Sequence, residues 1–319
     1  MRKRKTKKLS FRRKAEKQMN KPVNKYRSSV GFRNRHVTRQ ISVLVTAPLN
    51  AGKSTLINAI AGAPVVPTSN LPSEAVVHIV RSVSGQDWES IPQRSSSSGT
   101  TELIQIQVRF PGCFSGQPLC FYDLPASNTE TTRTFVEKQL KRRRYDAALY
   151  LLNAEQLQTQ DDKQQLLALQ AVLNSSRVLF VLNKADRLDG TEDGPLPEVV
   201  ERAARYLREL GFQEPLICPL SAKAAFLANK QSPLTMNEQR RFTSLYEQME
   251  SGNIARWYDR FFPGLRFVEK LTLRIPGDMG TVPGLRFAVP PGKTGELLQN
   301  CGFSGFAAVF LSFLQHCMT

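Results

Sequence analysis

Apolar positions recur along this chain in two rhythms. Ile41, Val43, Leu44 and Val45, then 147–152, 178–182 and 216–220, form short apolar runs that read as strands buried on both faces. Residues 103–110 alternate apolar and polar, the period of a half-buried strand, and 75–83 and 119–122 complete the set. Between them lie segments with helical spacing. One carries Leu56, Ile57, Ile60 and Ala61; others span 129–144 and 195–210, the latter closed by Gly211. Asp161 and Asp162 open a further helix, with Leu166, Leu167, Leu169, Ala171 and Val172 as its expected buried side. Residues 224–258 are helix-forming and polar, whereas 304–317 are apolar on most sides and suit a last helix packed on the sheet. Strand–helix alternation of this kind predicts an α/β fold, a mostly parallel, doubly wound sheet with helices on both faces.

The pattern breaks in four places. Residues 63–74 are interrupted by prolines and Asn70, which forbids regular structure. Residues 84–100, with four consecutive serines, read as a flexible hairpin loop. Residues 262–295 are rich in Pro and Gly and repeat Pro-Gly-Leu-Arg-Phe at 263–267 and 283–287, a duplication without an evident mechanism. The first 39 residues have too few apolar positions to fold alone, so the expected organisation is a basic disordered tail, 1–39, and one domain, 40–319.

Charge sharpens that division. The formal net charge is +17, but residues 1–40 hold 16 of the 44 basic residues and one of the 27 acidic, leaving only +2 for the rest. A like-charged arm of this kind serves as a contact for nucleic acid or an acidic membrane surface, or is simply solvated. It lacks the apolar core of a secretory signal, and no run approaches the length of a membrane-spanning helix. Five cysteines at wide spacings and without a Cys-x-x-Cys pair point to free thiols in a reducing compartment. The expected location is cytoplasmic, with peripheral association to membrane or nucleoid left open. With three histidines in all, a zinc site is not expected, and His78, inside a strand pattern, reads as a packed or edge histidine.

The candidate chemistry sits at strand ends. Ala47-Pro-Leu-Asn50-Ala51-Gly52-Lys53-Ser54-Thr55 follows the first strand and opens a helix, the arrangement of a phosphate cradle in a P-loop NTPase. Loop N–H groups and the helix N-terminus would face an anion, Lys53 would reach the β- and γ-phosphates, and the Ser54 hydroxyl would ligate Mg²⁺. Ala47 stands where such loops usually start with glycine. Asp123 ends another strand, placed to hold Mg²⁺ through water. Asn183-Lys184-Ala185-Asp186 suits a base reader: a carboxylate accepts from guanine N1–H and its exocyclic amine, a donor pair adenine lacks. Ser221-Ala222-Lys223 adds a backbone donor for the guanine oxygen. In a doubly wound sheet ligands bind at the carboxyl ends of strands, so four such signals in order predict one guanine-nucleotide site for GTP or GDP.

These residues resemble the G domain of dynamin-like GTPases, from Ile41 to Ala228 and more weakly beyond. Asp123-Leu-Pro is similar to the dynamin version of the third motif. The stretches 70–76, 157–162 and 226–230 resemble bacterial dynamin-like proteins of the clamp-binding (CrfC) type. The resemblance implies an extended Ras-like G domain, Mg²⁺-dependent GTP hydrolysis, a switch hydroxyl from Ser73 acting in catalysis with Lys53 and on Mg²⁺, and a homodimer or a stalk-bearing dynamin-like partner. Five positions depart from the family: Ser73-Glu74 replaces the switch threonine, Ala126 stands for a glycine, and Leu49 and Asn50 occupy the places of water-positioning Gln and Ser. Hydrolysis is therefore expected to be slow or partner-assisted. Stalk segments follow the G domain in that family, and this sequence ends at Thr319, so membrane fission by this chain alone is not expected. Two alternatives remain at this level. One is an RNA- or ribosome-associated GTPase of the Era type, which 50–58 also resembles and whose RNA contact the basic tail would fit; the other is a catalytically weak GTP-binding module.

Overall fold

The structure, a computed structural model, describes residues 39–68, 76–83, 92–96, 102–125, 130–188, 190–251, 254–261 and 291–318. The basic tail to residue 38, the switch segment 69–75 with Ser73 and Glu74, Ala126, and the repeat region 262–290 lie outside the described residues.

Among the described residues eight strands form one sheet: β1 (Ile41–Thr46), β2 (Val76–Ser82), β3 (Pro92–Ser96), β4 (Glu102–Val108), β5 (Leu119–Asp123), β6 (Ala147–Asn153), β7 (Val178–Asn183) and β8 (Leu216–Leu220). Their order is β3-β4-β2-β5-β1-β6-β7-β8. From β5 to β8 every pairing is parallel. β2 joins β5 antiparallel, pairs with β4 in parallel, and β3 closes that edge antiparallel. β6, between two parallel neighbours, is buried at every position, as its unbroken apolar run requires.

The helices are α1 (Lys53–Ala61), α2 (Glu130–Arg142), α3 (Gln160–Gln170), α4 (Leu196–Glu209), α5 (Ala222–Asn229), α6 (Met236–Ser251), α7 (Ala255–Phe261), α8 (Lys293–Asn300) and α9 (Phe303–Met318). Alternate strand positions feed two cores. Val43, Val45 and Leu149 face the layer containing α1, α5, α8 and α9. Leu44, Ala148 and Tyr150 face that of α2, α3 and α4. The first core is tied by aromatics: Phe310 of α9 stacks on Phe121 of β5 at 6.2 Å and on Phe306 at 5.5 Å. Tyr258 of α7 lies so close to α9 that a Cβ on Gly305 would stand 2.5 Å from its ring.

Several expectations need correction. Residues 92–96, read as part of a loop, form β3, because an antiparallel partner in β4 outweighs the weak strand propensity of Pro and Ser. Leu167, expected on the buried side of α3, is 47% exposed; buried Asp162 and Gln165 take inward positions instead. Tyr150 explains the first of these, since its hydroxyl donates to the Asp162 carboxylate at 2.9 Å. The helix-forming reading of 224–258 holds, as α5, α6 and α7, but its first helix is apolar and buried rather than polar. Residues 293–295, assigned to the Pro/Gly-rich segment, start α8. All five cysteines are buried free thiols, and burial pushes the thiols of Cys218 and Cys301 up to about 12. Among the described residues no single helix is long and apolar enough to cross a membrane.

Candidate functional site

The turn after β1 is shaped by two residues in the left-handed region, Asn50 (φ 62°) and Gly52 (φ 93°). Glycine is needed at 52 for a second reason. A Cβ there would stand 2.2 Å from Asn183 Nδ2. Gly52 caps α1 with its backbone alone, so N–H groups of the first turn are left to point out of the helix. Lys53 starts that turn, and its ammonium contacts the Asp123 carboxylate at the end of β5. Asp123 is 2% exposed, so its charge is held by this cation rather than by water. His78 of β2 is in register with Asp123, and its Nδ1 is 3.7 Å from Asp123 Oδ2. The histidine read as a packing residue therefore faces the site.

Asn183 ties three loops together. Its Nδ2 donates to Ala51 O at 2.7 Å, and its Oδ1 accepts from Ala222 N at 2.9 Å. The phosphate-type turn, the end of β7 and the start of α5 are thus one hydrogen-bonded unit. A second tie lies below it, where Asn229 Nδ2 at the end of α5 donates to Ala59 O of α1 at 2.7 Å. Lys184 adopts a left-handed conformation (φ 63°), and its ammonium is 2.8 Å from Glu155, which also holds Arg187 at 3.2 Å. Those two cations hold the Glu155 carboxyl below its ordinary range against a burial effect of opposite sign. Asp186 is pushed the other way. Burial raises its carboxyl, opposed chiefly by a hydrogen bond from Ser221. Ser221 also caps α5, its oxygen accepting from Ala224 N at 3.3 Å.

One cleft of about 1010 Å³ joins these parts at the carboxyl ends of the strands. Asn50, Ala51, Gly52, Lys53, Ser54 and Thr55 line one end. Asn183, Lys184, Asp186 and Lys223 line the other, and Asp123 lines the cleft beside Lys53, on the β5 side of the turn. Ser221 and Ala222 sit behind that wall, fully buried, and the Ala222 N–H is spent on Asn183 rather than offered to the cleft. Desolvation lowers Lys223, and its ammonium lies 5.7 Å from the centre of the Phe226 ring. Ser73 falls outside the described residues. Among the described residues no cluster of three or more His, Cys, Asp or Glu side chains is placed to hold a metal ion. The Mg²⁺-type donors present are the Ser54 hydroxyl and the Asp123 carboxylate, hard oxygens suited to an ion shared with a phosphate.

Sequence reasoning missed two contributors. Glu155 gave no signal because it lies beyond a strand end in an unremarkable turn. Helix α6 places Arg241, Ser244, Leu245 and Gln248 along the cleft, which no local motif announces.

Residues 42–184 match the family described as 50S ribosome-binding GTPase. An uncharacterized protein in the xynA 3' region of Caldicellulosiruptor sp. (strain Rt8B.4) is 26% identical over 223 residues, 62% of this chain and 52% of the relative. The chain thus spans about half the length of that curated relative. Among solved structures, it is similar to a member of an oligomerised bacterial dynamin pair (18% identity, TM-score 0.47, 70% of this chain and 42% of that one). It is similar also to Toc33 from Arabidopsis thaliana in complex with GDP and Mg²⁺ (15%, 0.32, 57% and 71%). Era from Aquifex aeolicus, bound to GDP and aluminium fluoride, is a third (18%, 0.34, 58% and 52%). The segment from β1 through β7, with its phosphate-type turn and its Asn-Lys-x-Asp loop, therefore carries a GTPase G domain with the P-loop fold.

Proposed function

We propose that the chain is a Mg²⁺-dependent GTP-binding protein of dynamin-like type that hydrolyses GTP slowly or with a partner. The observation that carries this is the convergence of Lys53, Asp123 and Asp186, from three separate strand ends, on one cleft. The phosphates would lie over the first turn of α1, where Lys53 exchanges the Asp123 carboxylate for phosphate oxygens. Ser54 and Asp123 would hold Mg²⁺, with Ser73 as the candidate third oxygen. Held there, the ion would supply positive charge to offset that developing on the transferred phosphoryl group. Asp186 would accept from guanine N1–H and the 2-amino group, with Lys184 lying over the base while Glu155 holds its ammonium.

Slow turnover follows from what stands beside the phosphates. Leu49 has no polar group to orient water, and Asn50 is held in a left-handed turn. A stabilising group supplied in trans is worth several orders of magnitude in rate, so a homodimer or a stalk-bearing dynamin-like partner fits this site. Asp123-Leu-Pro supports the dynamin-like form. The family match favours a second reading, a ribosome- or RNA-associated GTPase with the basic tail as its contact. A cytoplasmic location suits both.

Phosphate release from GTP but not ATP, lost in Lys53→Ala, is the expected result; equal turnover of both nucleotides refutes the assignment. Liposome recruitment through residues 1–39 supports the dynamin-like form, and salt-dependent RNA binding through the same residues supports the other.

A further inference from the structure

Helix α6 reads in the sequence as a polar surface helix, yet it walls the purine end of the cleft. Arg241, Ser244, Leu245 and Gln248 follow helical spacing along one stripe that faces the cleft. The helix is fixed at its start by a reciprocal cap: Glu238 N donates to Thr235 Oγ1 at 3.3 Å, and Thr235 N to Glu238 Oε2 at 2.8 Å. Lys230 adds an ion pair to the same carboxylate at 2.7 Å. Toward its end Met249 is buried, the Tyr246 hydroxyl bonds Glu296, and the Lys293 ammonium sits 5.2 Å from the centre of the Tyr246 ring. From this anchored helix Gln248 Nε2 donates to the main-chain oxygen of Asp186 at 2.6 Å.

We infer that Gln248 is a positioning residue for guanine recognition, fixing the Asp186 backbone so that both carboxylate oxygens face the base. The inference rests on the GTP-binding reading above. Asp186 is held at two points: its carboxylate by Ser221 and by its own backbone N–H, and its carbonyl by Gln248. Removing the second lets the carboxylate tilt. A tilt costs the bond to the 2-amino group first, because two parallel hydrogen bonds need the carboxylate in the plane of the base, whereas one does not. Inosine lacks that amino group, so its triphosphate engages Asp186 through N1–H alone.

The test is equilibrium competition by GTP, ITP and ATP on the full chain, for wild type, Gln248→Met and Gln248→Lys. Methionine keeps the length without the donor, and lysine restores a donor. The expected result is a roughly 5-fold loss of GTP affinity in Gln248→Met, the size of one neutral hydrogen bond. ITP affinity falls less than about 2-fold, and Gln248→Lys recovers the GTP:ITP ratio. Equal losses for GTP and ITP, or an unchanged ratio in Gln248→Met, overturn the inference while leaving GTP binding intact. A wild-type protein that prefers neither GTP nor ITP to ATP defeats the underlying reading and the inference with it.

Discussion

The phosphate end and the purine end of the cleft are built differently. At the phosphate end each group is placed by its own strand end or turn, and a single contact, Lys53 to Asp123 across 70 positions, joins them. Gly52 makes the turn, Lys53 begins the helix, and Asp123 is the last residue of its strand. The purine end is assembled across long sequence separations. Asn183 bonds Ala51, 132 positions away, and Ala222, 39 away; Gln248 reaches Asp186 from 62 away. A locally built site fails abruptly when one part is changed. A site held by several distributed ties degrades by steps.

Mutations can break that contrast. Lys53→Ala should have the largest effect, removing GTP binding by at least about 100-fold in a fluorescent-nucleotide titration. It also strands Asp123 as a buried charge without its ammonium, which should cost the nucleotide-free protein about 3 kcal/mol in denaturant unfolding. Gly52→Ala comes next. The left-handed backbone and the 2.2 Å approach to Asn183 should cost about 2–3 kcal/mol and at least about 10-fold in affinity. Asn183→Ala leaves Ala51 O and Ala222 N buried without their partner and should destabilise by about 2 kcal/mol in the same unfolding assay. If it abolished binding as completely as Lys53→Ala, the contrast between the ends would be lost.

Acid sharpens the comparison through Asp186, whose carboxyl is raised by burial. Its protonation begins above the ordinary aspartate value of about 3.8, so guanine affinity should decline before that pH is reached on acidification. The stability contribution runs the opposite way. A raised folded-state value favours the fold fully below the unfolded value, and that benefit is lost as pH rises through the folded one. Affinity should therefore fall on acidification while the stability difference between wild type and Asp186→Asn moves in the opposite sense; the difference isolates Asp186 from Glu155, Asp162 and Glu238, whose shifted carboxyls also shape the whole-chain curve. The smallest effect is expected from Glu155→Gln. It frees Lys184 and Arg187 at a part-exposed pair and should change GTP affinity about 2-fold, less at high salt.

The same contrast explains what the sequence made legible. Apolar runs and their terminal residues located β1, β5, β6, β7 and β8 and every motif at a strand end, because those features are local. β3 was hidden because its partner strand, not its own composition, makes it a strand. Leu167 was misplaced because Tyr150 gives the buried Asp162 a hydrogen bond, letting a polar residue hold an inward position. The role of α6 was illegible for a like reason. Its cleft-facing residues matter through where the helix is docked, and docking by Lys230, Glu296 and Lys293 leaves no pattern near Asp186. His78 was legible as a strand residue, but its facing of Asp123 depends on an antiparallel register between β2 and β5 that no local pattern sets.

The most direct test is displacement of labelled GDP by GTP, XTP and ATP from wild type and from Asp186→Asn. Xanthine presents a carbonyl where guanine has its amine, and an amide can donate to it where a carboxylate cannot. The account predicts that wild type prefers GTP by at least about 100-fold over both competitors, and that Asp186→Asn shifts its preference from GTP to XTP. A wild-type protein displaced equally by ATP, or a variant whose order of preference is unchanged, would contradict it.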